Sequence, residues 1–245
     1  MDLGAFTPFL YGFRDREFLT SIIEDTCGSR LTMNYIHPGG VMYDIKKNFS
    51  IRIKKYLKYL KPRIDEYEEL VSNIQKRTEN VGILNRQDAL SLGVTGPVIR
   101  ASGVPLDLRK DNPYGMYGKV KFSLALGSKG DCWDRYWVRI EEIRQSVRII
   151  EQLIDNIPPG KHMILKPASK IKLPKGYHYD QVETARGILG VFIASTEEDH
   201  PYRIHLRTPN FNNLWSVITM AKGLKISDLV AIFSTLDIVM PDVDR

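Results

Sequence analysis

The sequence predicts a mainly α fold, namely a helical bundle with a small antiparallel β appendage. Three observations support this prediction. Apolar residues recur at alternating spacings of four and three between residues 131 and 157, as in a long bundle helix. A second amphipathic stretch covers residues 46–63, and β-type residues are concentrated in residues 181–195 and 202–206. With 245 residues, the chain is long enough for one good core, and we expect a single domain.

The composition is that of an ordinary soluble globular protein, with 43% apolar and 26% charged residues. The longest early uncharged stretch, residues 3–13, is shorter than the roughly 18 to 20 residues that span a bilayer, so we expect no transmembrane helix. The first residues also lack the pattern of an export signal. Cys27 and Cys132 have no metal-ligand spacing, and we expect them to be reduced thiols in a cytosolic compartment.

Three helices are expected in the N-terminal part of the chain. The first covers Arg14–Thr26, where apolar residues form one stripe. Residues 35–41 contain a proline and two adjacent glycines, and they predict an irregular turn that no regular element could hold. The second and third helices cover residues 44–61 and 63–75. We expect Pro62 to separate them, because proline interrupts the hydrogen bonding of a helix.

The second helix carries a dense cationic stripe. Between Lys46 and Arg63 there are eight basic residues and no acidic one, so of the 35 basic residues only 27 remain elsewhere, against 29 acidic ones. The net charge of +6 is therefore local. The stripe fits a solvated helix face, and the alternative is docking against an acidic partner or lipid head groups. We expect no nucleic-acid binding, because no aromatic platform or groove-reading motif accompanies the stripe.

The middle of the chain combines loops with the clearest helix. Residues 81–111 are interrupted by glycine and proline, which predicts ordered connections against a rigid scaffold. The long helix then begins after Asp131, a plausible N-cap, and stops before Pro158. Its expected apolar stripe consists of Tyr136, Ile140, Ile143, Val147, Ile150, Ile154 and Ile157.

Three segments follow the helical part, which we place at residues 1–157. Residues 158–178 are rich in lysine and proline and predict an exposed insertion. Residues 179–208 predict the small sheet. Residues 209–245 return to helix, with one helix expected at residues 210–221 and another at 227–236.

Several catalytic motifs are missing from the sequence. It contains neither of the glycine-rich signatures that hold dinucleotides or triphosphates. The five histidines do not have the spacing of a zinc hydrolase, and no Gly-x-Ser-x-Gly elbow is present. We therefore expect no metal site. His37, beside a proline, is interpreted as a hydrogen-bonding loop residue rather than a catalyst.

Both ends of the chain combine charges with apolar residues. Asp2 precedes an aromatic run in which Phe9 and Phe13 lie four residues apart, on one face of a helix. Such a pair is typical of a core, and the alternative is one wall of an apolar slot. At the other end, an apolar segment contains Asp237 and leads to the terminal Arg245. Burying these charges is costly unless they are paired or functional, and the alternative is a surface tail with a local ion pair.

Six segments, read in order from end to end, resemble one known family. They are residues 2–9, 35–41, 96–104, 107–114, 130–135 and 236–245. Together they resemble the family of D-type subunits of NADH-quinone oxidoreductase, respiratory complex I. This resemblance implies a bundle of the nickel-iron hydrogenase large-subunit type that has lost its metal. Hydrogenases end in a Cys-x-x-Cys ligand pair near the position of residues 234–239, where this chain has no cysteine.

The resemblance also implies roles for particular residues. Asp2 and Asp237 are expected to be catalytic acids, with Asp2 linked to the histidine that anchors the quinone. The quinone cavity is expected to be lined by Phe9, Phe13, Val239 and Arg245. Thr32 and His37 are expected near the terminal iron–sulfur cluster, and at these two positions relatives have histidine and arginine.

The resemblance implies that quinone is the substrate, that no cofactor is bound covalently, and that a neighbouring subunit holds a 4Fe-4S cluster. The expected partners are other complex I subunits, especially the small iron–sulfur subunit and the C-type or 30-kDa-type subunit, and the membrane-arm subunits. The expected location is peripheral, on the cytoplasmic or matrix side of the energy-transducing inner membrane.

The chain is expected to be N-terminally truncated, because the family's N-terminal β domain and its quinone-binding histidine and tyrosine do not appear. The isolated chain is then expected to be inactive. Two alternatives remain open: a non-catalytic remnant that binds partner subunits, and a hydrogenase-like subunit of a related membrane complex. Continuous coding upstream of Met1 would favour the quinone-reducing subunit over the remnant.

Overall fold

The computed structural model describes residues 3–164 and 172–244, and most of its regular structure is helical. Two long helices, α2 (Phe49–Thr78) and α6 (Cys132–Leu153), pack against each other, and α1 (Phe6–Cys27) lies against α2. A separate antiparallel sheet accompanies them. The predicted mainly α fold with a small sheet is therefore confirmed. The assignment of the whole chain to a single domain stays a prediction.

The three long helices share an apolar core. The buried residues of this core come from the same stripes that gave the helices their periodicity, and they are Ile22, Ile53, Leu57, Ile64, Ile140, Val147 and Ile154. α1 begins at Phe6, earlier than predicted, and ends at Gly28, which adopts a left-handed conformation with φ 76°. Asp15 of α1 is buried and accepts a hydrogen bond of 2.6 Å from the Tyr59 hydroxyl and another from Tyr67, both on α2.

The predicted break at Pro62 is wrong, because α2 continues through this residue. Leu57 and Ile64 lie on opposite sides of the proline, seven residues apart, and both are buried in the same core. Burial of the two halves on one face offsets the hydrogen bond that the proline removes, a loss of about 3 kcal/mol. Tertiary packing therefore keeps α2 helical through Pro62.

Four of the eight basic residues in the cationic stripe pair with carboxylates of other elements. Basic side chains of the stripe contact carboxylates on α1 and at the C-terminal end of α6. The pairs are Lys46–Asp25, Arg52–Asp25, Lys54–Asp155 and Lys61–Glu151. Exposed pairs of this kind contribute at most about 1 kcal/mol each. They favour a solvated helix face, and docking of a partner there stays a prediction.

The glycine-rich segment after α2 contains short helices rather than loops alone. These are α3 (Arg86–Ser91), α4 (Pro97–Ala101) and α5 (Leu108–Asp111). Apolar residues of α3, α4 and the loops beside them, with α9 (Ile226–Leu236), form the second core of the molecule. Its fully buried members include Leu84, Ala89, Val94, Val98, Ile99 and Ile232. The expectation of ordered connections is confirmed, although part of that order is helical.

Helix α6 begins as predicted. The carboxylate of Asp131 accepts a hydrogen bond of 2.9 Å from the Asp134 backbone N–H and another of 2.8 Å from the Asn80 N–H. The helix ends at Leu153, before the predicted stop. Only one row of the predicted stripe is buried, because α2 covers a single side of α6. The exposed row consists of Ile143, Ile150 and Ile157.

The sheet consists of β3 (Gly176–Thr184), β4 (Gly187–Ser195) and β5 (Arg203–Arg207), in this order and antiparallel throughout. It begins at Gly176, earlier than the predicted boundary at residue 179. Of the predicted insertion at residues 158–178, residues 158–164 and 172–175 are mostly exposed, residues 176–178 belong to β3, and residues 165–171 lie outside the described residues.

The irregular turn predicted at residues 35–41 is instead a short hairpin. Strand β1 (Ile36–His37) pairs with β2 (Gly40–Val41), and Pro38 and Gly39 make the turn. Gly39 has φ 95° and Gly40 has φ 152°, so the paired glycines provide the turn geometry rather than preventing pairing.

The C-terminal region is helical, as predicted, but divided more finely. It contains α7 (Pro209–Trp215), α8 (Val217–Ala221), α9 and α10 (Met240–Val243). The first of the two predicted helices is broken at Ser216, whose hydroxyl donates to the Asn213 carbonyl at 2.5 Å. Cys27 and Cys132 are both free thiols, and Cys132 is buried.

Candidate functional site

Asp237 terminates α9 in an unusual conformation. Its φ of 56° and ψ of 51° lie in the left-handed region, which costs a non-glycine residue about 1–2 kcal/mol. Apolar burial of Ala231, Ile232 and Leu236 fixes the helix that precedes it. The side chain of Asp237 is half-exposed and lines a cavity. The chain therefore holds this carboxylate in a defined position at the cavity surface.

Two arginines from other elements bind the last turn of α9. Arg186, in the turn between β3 and β4, donates from Nε to the Asp237 carbonyl at 3.1 Å and from Nη2 to Asp237 Oδ1 at 3.3 Å. Arg139 of α6 donates from Nη1 to the Thr235 carbonyl at 2.6 Å and from Nη2 to the Leu236 carbonyl at 3.3 Å. Cations at this end stabilise the exposed carbonyls and the negative pole of the helix.

Arg139 retains unused hydrogen-bonding capacity. Its Nε is buried and has no partner among the described residues. Burial lowers the pKa of Arg139 to about 10, which leaves the side chain cationic at neutral pH. Arg139 lines the same cavity as Asp237.

This cavity has a volume of about 410 Å³ and is lined mostly by charged side chains. They come from α4, α6, the segment around α5, the β3–β4 hairpin and the end of α9. The lining includes Arg100, Arg109, Arg139, Glu142, Glu183 and Asp237. Opposite charges from distant parts of the sequence, such as Arg100 and Glu183, 83 residues apart, thus meet around one space.

The inner end of the cavity is organised by Arg100, which is 1% exposed. Its Nε donates to Glu142 at 2.7 Å, and its Nη1 donates to Glu183 at 2.8 Å. Burial alone would lower the pKa of Arg100, but the charges of Glu142 and Glu183 raise it above its ordinary value. Arg100 is therefore a fixed cation between two acids.

The neighbouring pair of Asp107 and Arg109 is also buried in part. Arg109 donates to Asp107 from Nε at 2.9 Å and from Nη2 at 2.6 Å. Burial acts to raise the pKa of Asp107, but the bond from Arg109 and the charge of Arg100 keep it below its usual range. Asp107 remains ionised, as its bidentate geometry requires.

A second, apolar cavity lies between the start of the described chain and the last turn of α9. It has a volume of about 200 Å³ and is lined by Leu3 and Ala5 together with Thr235 and residues of α2 and α6. Arg77 of α2 donates to the Leu3 carbonyl at 3.0 Å, which fixes the start of the described chain there. The first described residues therefore lie against the end of α9, two residues before Asp237.

The predicted cavity residues Phe9 and Phe13 are in contact with each other, with ring centroids 4.7 Å apart. They lie on the exposed face of α1, with 38% and 55% of their surfaces accessible. They are thus no part of this chain's own core. Val239 is half-buried at the start of α10. Their roles in a quinone cavity stay predictions.

Several predicted site residues are not brought to these cavities. Thr32 is exposed, with φ 52°, and His37 lies in the β1–β2 hairpin, whose Gly40 pairs with Met163. The buried Nε2 of His37 has no partner among the described residues. Asp2 and Arg245 lie outside the described residues.

Sequence reasoning missed Arg139, Arg186, Arg100, Glu142 and Glu183. A signal was present in α6, where Arg135, Arg139 and Glu142 follow at spacings of four and three. Such spacing places them on one helix face, away from the apolar stripe. The part of the chain that the structure describes holds no group of three or more potential metal ligands. Over the same residues, no helix combines the length and apolarity that crossing a membrane requires.

A model of the family described as the respiratory-chain NADH dehydrogenase 49 kDa subunit matches residues 2–171 and 164–245. The chain belongs to this 49 kDa subunit family. It is 48% identical, over its full length, to 47% of the C/D-type NADH-quinone oxidoreductase subunit of Bacteroides thetaiotaomicron. It is 44% identical, over 99% of its length, to 67% of the D-type subunit of Desulforamulus reducens.

The chain is also similar to relatives of lower sequence identity. The D-type subunit of Bacillus mycoides is 38% identical over the full chain, which covers 68% of that protein. The chain spans about half the length of the C/D-type relatives it matches. The resemblance to the D-type subunits is confirmed, because these relatives are named as subunits of NADH-quinone oxidoreductase.

Proposed function

We propose that this chain contributes the quinone-binding part of a proton-pumping NADH:quinone oxidoreductase. With the small iron–sulfur subunit, which holds a 4Fe-4S cluster, it encloses the quinone head where electrons arrive. Its bundle corresponds to that of the nickel-iron hydrogenase large subunit. Within the complex it lies on the cytoplasmic or matrix side of the inner membrane, beside the C-type and membrane-arm subunits.

One observation carries this proposal. The start of the described chain and the end of α9 share an apolar cavity, and Asp237, which follows α9, lines a charged one. A quinone needs an apolar space for its ring and tail, and nearby acids that supply protons as it gains electrons. Asp237 is an acid of the charged cavity and lies next to Arg186.

The different polarity of the two cavities supports different roles for them in quinone binding and proton transfer. Leu3, Ala5 and the α2 side chains offer apolar contact to a ring. Asp237, oriented by Arg186, offers a carboxylate that can accept or pass a proton. Phe9 and Phe13 present further aromatic surface on α1 for the tail or for the partner subunit.

Asp237→Asn in the assembled enzyme tests the proposal. Loss of this carboxylate should lower NADH-driven quinone reduction by about 10²-fold, the lower range for a positioned proton-transfer group. NADH oxidation by ferricyanide, which takes electrons before the quinone site, should be unchanged. Asp155→Asn is the matched control, because this carboxylate is exposed and pairs with Lys54.

Equal loss of both activities in Asp237→Asn would contradict the site assignment, because it would indicate a defect in assembly. Unchanged quinone reduction would contradict it as well. A loss in Asp155→Asn as large as in Asp237→Asn would show that the effect is not specific to the α9 terminus.

A further inference from the structure

One edge of the small sheet is open. The strand order is β3–β4–β5, so β5 pairs with β4 on one side, and no strand among the described residues pairs with its other side. In an antiparallel edge strand, every second residue directs its N–H and C=O groups away from the sheet. Such groups are a template for a further strand unless something covers them.

The opposite edge, formed by β3, is covered where it meets the helical body. The Tyr114 hydroxyl accepts a hydrogen bond from the Glu183 N–H at 3.1 Å and donates one to the Glu183 carbonyl at 3.2 Å. These two bonds satisfy the backbone groups of β3 at that residue, and α5 packs beside them. No residue in the described ranges caps the outer backbone of β5 in this way. The two edges of the sheet therefore differ.

A groove of about 500 Å³ runs along the open edge. It is lined by Ile204, His205 and Leu206 of β5 and by Val243 and Asp244 at the end of α10. Successive side chains of a strand point to opposite faces of the sheet, so His205 lies on the other face from Ile204 and Leu206. A space that all three residues line must therefore lie at the edge that both faces share.

Both walls of this groove are anchored to the body of the protein. Asp242 of α10 accepts a hydrogen bond of 3.1 Å from the Asn210 N–H of α7, a helix that also packs on β4. Arg207, the last residue of β5, turns inward and donates to the Ile188 carbonyl at 2.7 Å and to the Gly93 carbonyl at 2.6 Å. The groove is therefore formed before anything binds in it.

The side chains along the edge define the kind of segment that fits. Ile204 and Leu206 lie on one face and are 54% and 36% exposed, although both are large and apolar. Arg203 and His205 lie on the other face and are exposed as well. Arg203 forms no ion pair within the part of the chain that the structure describes. The edge thus offers cationic and apolar positions in alternation.

The charges oppose a second copy of this chain at the edge. Two copies paired antiparallel about His205 would place Arg203 of one opposite Arg207 of the other. Like charges directly opposite each other in neighbouring strands are destabilising. The same basic residues favour an extended segment with acidic residues facing Arg203 and His205. At the alternate positions, apolar residues of that segment would face Ile204 and Leu206.

We propose that β5 is a docking edge for another subunit of the enzyme, which adds an extended segment of alternating acidic and apolar residues as a further strand of the sheet. The backbone of this segment bonds to the outward N–H and C=O groups of β5. Its apolar side chains fill the groove against Leu206 and Val243, and an acidic side chain pairs with Arg203. β5 lines neither of the two cavities on which the proposed function rests, so the inference goes beyond that function and its failure would leave that function intact.

Photo-cross-linking in the assembled enzyme identifies the segment. Benzoylphenylalanine in place of Leu206 should link to a stretch of another subunit, and mass spectrometry of the linked peptide should show acidic and apolar residues in alternation. The same probe in place of Ile226, an exposed residue of α9 that does not line the groove, is the control and should not link to that stretch. A link to a second copy, to this chain itself, to lipid or to a helical segment overturns the proposal, and so does the absence of a link.

Amide hydrogen exchange in the unmodified enzyme tests the pairing itself. With a further strand in place, the outward amides of residues 203–207 are bonded, and they should exchange at least about tenfold more slowly than solvent-exposed amides. Alternate amides that exchange freely would show an edge without a partner and would overturn the proposal. This measurement needs no variant, so a folding defect cannot obscure it.

Arg203→Glu in the assembled enzyme tests the charge complementarity. Retention of the cross-linked subunit during purification should fall about fivefold, because a favourable cross-strand charge pair becomes a repulsive one. Lysine in place of the facing acid of that subunit should restore retention, which a local disturbance of β5 would not allow. Lys222→Glu, at an exposed cation just after α8, is the matched control. A loss no larger than in the control, or one that the facing lysine does not restore, overturns the proposal.

Discussion

Gly96→Ala tests the packing that positions Arg186, and its cost follows from the geometry. Gly96 precedes α4 with φ 74° and ψ −150°, a region that only glycine occupies without strain. A Cβ here would lie 2.6 Å from Gly187 Cα and closer still to the Arg186 carbonyl oxygen. Both contacts are with backbone, so no side-chain rotation can relieve them.

The two effects can be added to give the magnitude. Forcing alanine into this backbone region costs about 1–3 kcal/mol. Overpacking against backbone costs about 1–3 kcal/mol more. The total of about 2–6 kcal/mol is a large part of the free energy of unfolding of a typical protein, which is roughly 5–15 kcal/mol. For a chain of this size, each kcal/mol lowers Tm by about 2–4 °C, so Tm should fall by about 4 °C or more.

The assay is thermal unfolding of the subunit, within the assembled enzyme, together with quinone reduction. Gly12→Ala is the matched control, because Gly12 lies inside α1 and a Cβ there would meet no atom within 4 Å. This control should be stabilised by about 0.5–1 kcal/mol. A Gly96→Ala protein with unchanged Tm and normal quinone reduction would refute the argument that the close contact between α4 and the β3–β4 turn holds Arg186.

Two further predictions concern buried carboxylates. Asp131→Ala removes the N-cap of α6 and leaves the Asn80 N–H without its acceptor. The free energy of unfolding, measured by denaturant titration, should therefore fall by about 2–4 kcal/mol. A loss below about 0.5 kcal/mol would contradict the role of Asp131 as both helix cap and acceptor for Asn80. Burial acts to raise the pKa of Asp15, but the bonds from Arg14, Tyr59 and Tyr67 outweigh it and keep that pKa below its ordinary value. The stabilisation by Asp15 is therefore complete above the unfolded pKa of about 3.9 and is lost as the pH falls through the folded value. Asp15→Asn should be less stable than the wild type at neutral pH, and the difference should shrink below about pH 4; a difference that is constant with pH would contradict this account.

Local patterns in the sequence predicted the elements whose residues are consecutive. The alternation of four and three located α6, and Asp131 was recognised as its cap because a cap needs only neighbouring residues. The β-type residues located β4 and β5 in the same way. Such features depend on hydrogen bonds and burial within one segment, so they can be read without the fold.

Other features depended on distant partners and were missed. Pro62 is tolerated because Leu57 and Ile64 bury the same face of α2. Arg186 could not be recognised as a partner of Asp237, because 51 residues separate them and only the fold brings their side chains into contact. The hairpin at residues 36–41 was read as irregular, because the glycines that bend the chain also allow it to pair.

The amino-acid sequence by itself indicated the helical class, the family and Asp237 as a candidate site residue. Each of these can be recognised from contiguous motifs. Only the tertiary structure decided which charges surround that acid. Arg100, Arg139, Glu142 and Glu183 come from separate parts of the chain, and burial around one cavity makes them act on each other. The physical reason is that Coulomb interactions strengthen when water is excluded and distances are short, and the folded chain alone fixes both conditions.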